Sequence, residues 1–482
     1  MSDDHPEEAP ADPMAPSDMP EPVAGQTGVV TTETGPHRTF VDFSPIRASP
    51  AFGRLWIGTS ISGIGAWLTT TAVGLEIFHI AIATMSEAQA TFMVSLVGGI
   101  ALVPMVVVGL WGGMLVDAAD RRTVAIVSAI VSWVATLSLL GLSIWDTVAS
   151  QGGGHAEVWP FYVVTTIQAI AANISGTARS AITPRIVAPD MLSRASALNS
   201  LTWGLQLALG PAIAGILIAV AGYPITYAVD AVMFAAAFIG IFGLPKLPPL
   251  HEHVTRPGLR SLVEGFAFLR TASNIRMSFI VDIIAMGLGR PQVLFPALSV
   301  AVIGGGSVTV GILGAAMAVG TFLTGLFSGP VARIHRHGVA ISRAILVFGG
   351  FTVLLGLVIG AGQLGWFGAV GEDFSDVSWP LLILVFVMLV GTGMSDEVSA
   401  IFRGTMMAAA APDEMRGRMQ GIFMVVVQAG PRIGDLIAGT IAALLGLWSP
   451  PVLGGVLVIA LVWMLTRTSP RWRAYDGRTP TP

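Results

Sequence analysis

The strongest constraint in this chain is a rhythm of apolar stretches about twenty residues long, separated by polar loops of which only every second one carries Lys or Arg. A helix rises 1.5 Å per residue, so about twenty apolar residues cover the roughly 30 Å of a bilayer's hydrocarbon. Twelve such stretches can be placed, at 52–78, 89–116, 122–145, 158–180, 197–220, 223–244, 276–302, 308–331, 339–361, 380–402, 419–446 and 450–467. Helices are the expected form, because an open strand edge would leave backbone polar groups facing lipid. Composition agrees. Of the residues 53% are hydrophobic and 11% charged, against roughly 25% charged in soluble domains. The chain has no cysteine, which excludes disulfides, thiolate nucleophiles and Cys-ligated zinc or iron-sulfur centres.

Basic residues stay on the cytoplasmic side during insertion, and here they fall in alternate loops: Arg121 and Arg122, then Arg185 and Arg194, then Lys246 to Arg276, then Arg333, Arg336 and Arg343, then Arg416 and Arg418. The intervening loops at 79–88, 146–157, 221, 303–307, 362–379 and 447–449 contain neither Lys nor Arg. This pattern predicts a multi-pass plasma-membrane protein of the bacterial inner-membrane type, with both termini cytoplasmic. Trp145, Trp159, Trp366, Trp379 and Trp448 fall at the expected outer boundary, as an aromatic belt should. The first 45 residues carry nine acids, one arginine and eight prolines, a composition expected to be disordered.

The chain also repeats at half its length. Gly109-Leu110-Trp111-Gly112-Gly113 is echoed by Gly325-Leu326-Phe327-Ser328-Gly329, and Ala188-Pro189-Asp190-Met191 by Ala411-Pro412-Asp413-Glu414. Gly210-Pro211 and Gly430-Pro431 follow some twenty residues after each. The expected organisation is an acidic Pro-rich tail (1–46), a six-helix bundle (47–244), a linker (245–275), a second six-helix bundle (276–467) and a short cytoplasmic tail (468–482). Within the linker, Leu259, Leu262, Val263, Phe266 and Leu269 form one apolar stripe suited to lying on the inner leaflet.

Between the second and third apolar stretches stands Gly112-Gly113-Met114-Leu115-Val116-Asp117-Ala118-Ala119-Asp120-Arg121-Arg122. This run resembles the loop between helices 2 and 3 of the major facilitator superfamily of secondary transporters, with Asp120 where that pattern often has glycine. Gly210-Pro211-Ala212-Ile213-Ala214-Gly215 resembles the tail of the helix 5 motif of exporters in that superfamily, with Gln206 where the longer motif has glycine. Residues 180–215, 282–296 and 393–418 look most like the enterobactin and macrolide exporter branch, the drug:H+ antiporter-3 type. The resemblance covers about residues 47–467. It implies an all-α membrane protein of twelve transmembrane helices in two pseudo-symmetric six-helix bundles, with a cavity lined by helices 1, 4, 7 and 10. It also implies that Gly113, Asp117, Arg121 and Arg122 serve the conformational change, together with the kinked, closely packed Gly210-Pro211. Helix 4 lacks the mid-membrane arginine of many proton-coupled drug exporters; Arg179 lies near its inner end.

Charges inside a membrane cost several kcal/mol unless paired or hydrated, so they mark candidate sites. Glu76, Asp282, Arg290, Asp396 and Glu397 are the candidates for proton coupling and cavity lining. Arg432 and Asp435, three apart on one helix face, read as a mutually neutralising gating pair, and Asp396 with Arg403, seven apart, as a ladder near the inner mouth. Asp230 reads as a structural hydrogen-bonding residue. All eight histidines lie in loops, tails or helix ends, so carboxylates are the better proton carriers. The pairs His251/His253 and His335/His337 read as solvated loop residues, and no metal site is expected. No phosphate loop, nucleotide fingerprint or paired nucleophile and base is present, so no enzyme, cofactor, nucleotide or nucleic-acid partner is expected. The expected partners are a small-molecule substrate, protons and membrane lipids. The expected function is proton-coupled efflux of an amphipathic, drug- or siderophore-like molecule by alternating access. The alternatives are a lipid or lysolipid flippase of the same fold, and a non-transporting membrane receptor or scaffold.

Overall fold

Proline and short polar side chains start the helices where the apolar stretches begin. Ser49 caps α1 (Pro50–Ile82) by accepting the Phe52 N–H at 3.2 Å. A capping box between Ser86 and Gln89 opens α2 (Glu87–Ala118), and Asp120 opens α3 (Arg121–Gln151) by accepting the Arg122 N–H at 3.1 Å. Helix α4 is Trp159–Ile186. Leu192–Phe242 follows as one element whose backbone breaks at Gly222 (φ 82°, ψ 174°), giving α5 before that glycine and α6 after it. Only glycine takes that conformation without strain. The second half comprises α7 (Leu259–Thr271), α8 (Ser273–Leu288), α9 (Phe295–Ala301), α10 (Gly306–Leu326), α11 (His337–Gln363), α12 (Trp379–Ala410), α13 (Asp413–Leu445), α14 (Ser449–Thr468) and α15 (Pro470–Ala474).

The computed structural model describes residues 42–154, 156–247, 259–327, 334–368, 370–371 and 373–481, with the side chains of 109–118, 259–263, 266, 413–414, 416–418, 420–421 and 424 excepted. The acidic tail therefore lies outside the described residues. Every regular element among the described residues is helical. By length and composition, nine stretches among them could cross a membrane; one holds both α5 and α6, and another joins α8 to α9. The expected spans at 158–180 and 419–446 are also helical, as α4 and α13. Gln168 and Asn173 lower the apolarity of the first, and part of the second lies outside the residues whose side chains are described. The expected single span at 276–302 is divided, ending as α8 at Leu288 and resuming in earnest at Phe295.

The buried core is distributed unevenly between the two ends of the bundle. At the arginine-poor end one continuous apolar cluster joins both halves, with Leu68, Ala72, Ile77 and Phe161 meeting Leu294, Leu298, Leu313 and Leu381. At the arginine-rich end the halves keep separate cores: Val124, Ala178, Ile182 and Ile241 in the first, and Ile275, Ile341, Phe402 and Met406 in the second.

Small residues close the first end. A methyl group on Gly311 of α10 would come within 2.8 Å of the Pro211 carbonyl oxygen of α5, and Gly215 lies directly against the Ser307 carbonyl. Gly204 and Gly325 lie on the same helix faces, two to three turns toward the arginine-rich end, because seven and eleven residues bring an α-helix back to nearly the same bearing. Nothing stands within 4 Å of either position. Among the described residues, the halves are thus zipped at the arginine-poor end and parted at the other.

Two expectations at the arginine-rich face need correction. Of the linker stripe only Leu269 has a described side chain, and it does not face lipid. Leu269 is buried in the second half's core, and Gly265 packs on Ile422 and Met419 of α13. The terminal segment does not trail away either: Trp472 and Tyr475 are 1% and 2% exposed. They cover His337, whose ring lies 5.0 Å from Phe402 and 5.9 Å from Tyr475, so this histidine is buried rather than solvated. The pair His251/His253 lies outside the described residues.

Candidate substrate and coupling site

The charged candidates of the second half converge on the break in its first membrane helix. Gly289 donates its N–H to the Ala285 carbonyl at 2.9 Å, and Pro291 has no N–H to carry the helix onward. Gly434 of α13 and Gly454 of α14 leave room for the carbonyls of Met286 and Leu288 beside this break. Arg290 lies in it. Its Nε is 3.7 Å from Asp435 Oδ1 of α13.

Asp435 therefore pairs across helices with Arg290, whereas the sequence had suggested its helix neighbour Arg432. The stem of Arg432 is turned against Gly98 of α2, and its guanidinium donates to the Gln428 carbonyl at 3.2 Å. It remains within electrostatic reach of both Asp435 and Arg290. One turn deeper, Arg403 forms a buried ion pair with Asp282 of α8 and a second at 3.5 Å with Asp396 on its own helix. The Asp396 ladder is thus present, with the Asp282 partner added to it. Glu397 acts on Asp396 electrostatically. Three arginines and four carboxylates from α8, its break, α12 and α13 make one mid-bundle network.

Glu76 is not part of this network. It is 1% exposed, inside the first half near the arginine-poor end, where the Tyr227 hydroxyl of α6 donates to its Oε2 at 2.7 Å. One layer deeper, Asp230 accepts from the hydroxyls of Thr69 at 2.5 Å and Thr136 at 3.3 Å, and Gln168 donates to Thr136 at 3.1 Å. This matches the structural role expected for Asp230. Thr69 and Glu76, like Thr136 and Ser143, are seven residues apart on one helix face, and Tyr227 and Asp230 are three apart. Those spacings were legible; the partners Tyr227, Thr136 and Gln168 were not singled out.

The loop after α2 works on helix ends. Arg121 donates to the Ala181 carbonyl of α4 at 3.2 Å, and Arg122 to the Phe242 carbonyl at the end of α6 at 2.9 Å. Arg54 reaches the next carbonyl, Gly243, at 3.3 Å. Cations here satisfy last-turn carbonyls and meet the negative end of each helix dipole. Asp120 both caps α3 and accepts the Leu247 N–H at 3.0 Å, which gives its place in the loop a physical reason. Gly113 and Asp117 lie in α2 with side chains outside the described residues. Gly210 packs on Trp67 and Pro211 on Gly311 and Gly314, while the helix runs through Pro211 unbroken. Gln206, the other departure, donates to the Thr59 carbonyl of α1 at 3.0 Å, over the space that Gly63 leaves.

Known proteins resemble this chain over most of its length. An enterobactin exporter of Escherichia coli O157:H7 (strain EC4115 / EHEC) is 26% identical over 91% of this chain and 98% of its own. The enterobactin exporter of Shigella boydii serotype 18 is 26% identical over 84% and 88%. Among solved structures, a POT family transporter in complex with 5-aminolevulinic acid superposes with a TM-score of 0.65 at 12% identity, covering 88% of this chain and 97% of that one. A bacterial homologue of the iron transporter ferroportin gives 0.61 at 13%, covering 88% and 99%. These likenesses show the fold. The family model described as transmembrane secretion effector matches residues 41–479, and the chain is therefore a multi-pass membrane transporter of that family within the major facilitator superfamily.

Proposed function

We propose that this transporter exports an amphipathic, siderophore-like small molecule bearing acidic groups, by alternating access and in exchange for protons. The observation that carries the reading is the network of Arg290, Arg403 and Arg432 with Asp282, Asp396 and Asp435 at a mid-membrane helix break. Buried ionisable groups at a discontinuous helix are where secondary transporters bind substrates and coupling ions. The exporter relatives support the direction and the substrate class. The alternating arginines support a cytoplasmic arginine-rich end, an inner-membrane location and cytoplasmic termini. In that orientation the parted halves face the cytoplasm, the side from which an exporter loads.

In the proposed cycle, an acidic substrate enters between the separate inner cores and competes with Asp435 and Asp396 for the guanidinium groups. Arg432 is the first to meet it, because its hydrogen bond goes to a carbonyl of its own helix rather than to a carboxylate. The displaced carboxylates take up protons, and the halves rock about the Pro211–Gly311 contact so that the outer end opens. Glu76, Asp282 and Asp396 are the proposed proton carriers; Gly113, Asp117, Arg121 and Arg122 hold the state closed to the cytoplasm. Multidrug efflux is the second use that such a cavity supports.

Purified protein in proteoliposomes, loaded with a pH-sensitive dye, tests this. Enterobactin added on the cytoplasmic side should drive proton movement in the opposite direction, and Arg432→Gln should remove it. Movement of labelled lysolipid without siderophore flux would reassign the protein as a flippase. Absence of any solute flux, with a partner bound at the acidic tail, would favour the scaffold reading.

A further inference from the structure

The docked C-terminal segment builds something that transport does not use. From the last turn of α14 onward, the chain from Arg467 to Arg478 contains four arginines and one acid, Asp476. It folds back under the second half. Trp472 Nε1 donates to Ser342 Oγ at 2.9 Å, the Gly477 N–H to the His335 carbonyl at 2.8 Å, and Asn274 Nδ2 to the Thr481 carbonyl at 3.1 Å. These contacts tie the segment to α8 and to the start of α11.

The fold-back borders an open pocket of about 400 Å³ lined by Arg336 from the start of α11 and by Pro470, Arg473, Ala474 and Asp476. Both guanidinium groups are exposed, and among the described residues neither has a carboxylate within 4 Å. Asp476, the one acid in the pocket, already accepts the Arg478 N–H at 2.9 Å. One turn back along α14, Arg467 stacks 4.2 Å over the exposed ring of Trp463. A tryptophan flanked by arginine in this way is a mark of the headgroup level of a membrane. The pocket therefore sits where lipid phosphates sit.

We infer that Arg336 and Arg473 form a binding site for the phosphodiester headgroup of an anionic lipid, held open by the buried Trp472. The pairing suits the chemistry. Arginine presents parallel N–H donors to phosphate oxygens, and two guanidinium groups lining one pocket can divide one phosphate between them. Each basic group at a membrane surface contributes about fivefold to anionic lipid affinity. The arginines of the first half at this face are differently occupied: Arg54, Arg121 and Arg122 donate to helix-end carbonyls.

The absence of cysteine allows a site-specific test. The full chain carrying Ala474→Cys, labelled with a fluorophore, is placed in nanodiscs of phosphatidylcholine with increasing headgroup spin-labelled phosphatidylglycerol. Quenching should saturate at a low fraction of the anionic lipid, whereas spin-labelled phosphatidylcholine should quench only in proportion to its content. Arg336→Gln and Arg473→Gln should each raise the half-saturating fraction about fivefold. Arg336→Lys with Arg473→Lys, which keeps the charge and guards against a folding artefact, should retain most of the preference. Equal quenching by the two lipids, or unchanged saturation in both glutamine variants, would overturn the assignment. So would full displacement by inorganic phosphate, which would make the ligand a free anion rather than a lipid.

Discussion

The two halves share a packing plan but handle buried charge in opposite ways. In the first, Glu76 and Asp230 are fully buried and touch hydroxyls, from Tyr227, Thr69 and Thr136. In the second, Asp282, Asp396 and Asp435 meet the guanidinium groups of Arg403 and Arg290. A hydroxyl partner tolerates a neutral carboxylic acid as well as a carboxylate, because the acid can donate or accept. An ion pair does not, since neutralising one side leaves the other buried and unmatched. The contrast teaches that a duplicated shell can bury its acids in two different ways. In the first half they are held by hydroxyls from neighbouring helices; the second half is broken at Arg290 and holds its acids by ion pairs.

The contrast is broken most easily at Arg403. Replacing it with Ala leaves Asp282 and Asp396 without their cation and should cost about 3–5 kcal/mol in stability, with transport lost. Thermal unfolding in detergent measures this, and adding Asp282→Leu to an Arg403→Leu background should recover most of the loss. A melting temperature unchanged in Arg403→Ala would mean that the second half is not held by its ion pairs.

The seam between the halves is the next place to press. Gly311→Leu puts a side chain into the Pro211 carbonyl and should cost about 1–3 kcal/mol by overpacking. Its larger consequence should be conformational. Spin labels on single cysteines at Gly204 and Gly325, introduced into this cysteine-free chain, should lie well apart in the parent and draw together once the opposite end is forced open. Equal distances in both would show that Gly311 is not a closure contact.

The extent to which the sequence foretold this picture follows from what kinds of contact the fold uses. Helices were legible because each apolar stretch must satisfy its own backbone, and the seam was foreshadowed by Gly210-Pro211 and Gly215. The Asp396–Arg403 ladder was legible because both ends lie on one helix. Arg290 with Asp435 and Arg403 with Asp282 were not, since they join helices more than a hundred residues apart in the chain, and no local spacing encodes that. Arg432 and Asp435 misled for the converse reason: the spacing allowed a pair, but Gly98 on α2 drew the arginine stem away. The docked tail escaped notice because Trp472 and Tyr475 are two aromatics in a short polar run, and only the groove beside Ser342 gives them meaning.

Asp230 and Glu76 sharpen the comparison at smaller scale. Asp230→Asn keeps an acceptor for Thr69 and should cost about 1 kcal/mol, the difference between a charged and a neutral hydrogen bond. Asp282→Asn, the same chemical change in the other half, should cost several times more because Arg403 loses its buried partner. Glu76→Gln should change stability least of all, since the amide oxygen can still accept from Tyr227. Its decisive readout is therefore transport against pH. If Glu76 exchanges the coupled proton, flux in the glutamine variant loses its dependence on the proton gradient while substrate binding survives. A pH profile superimposable on the parent's would remove Glu76 from coupling, leave it as a brace like Asp230, and place the whole of the proton chemistry with Asp282 and Asp396 in the second half.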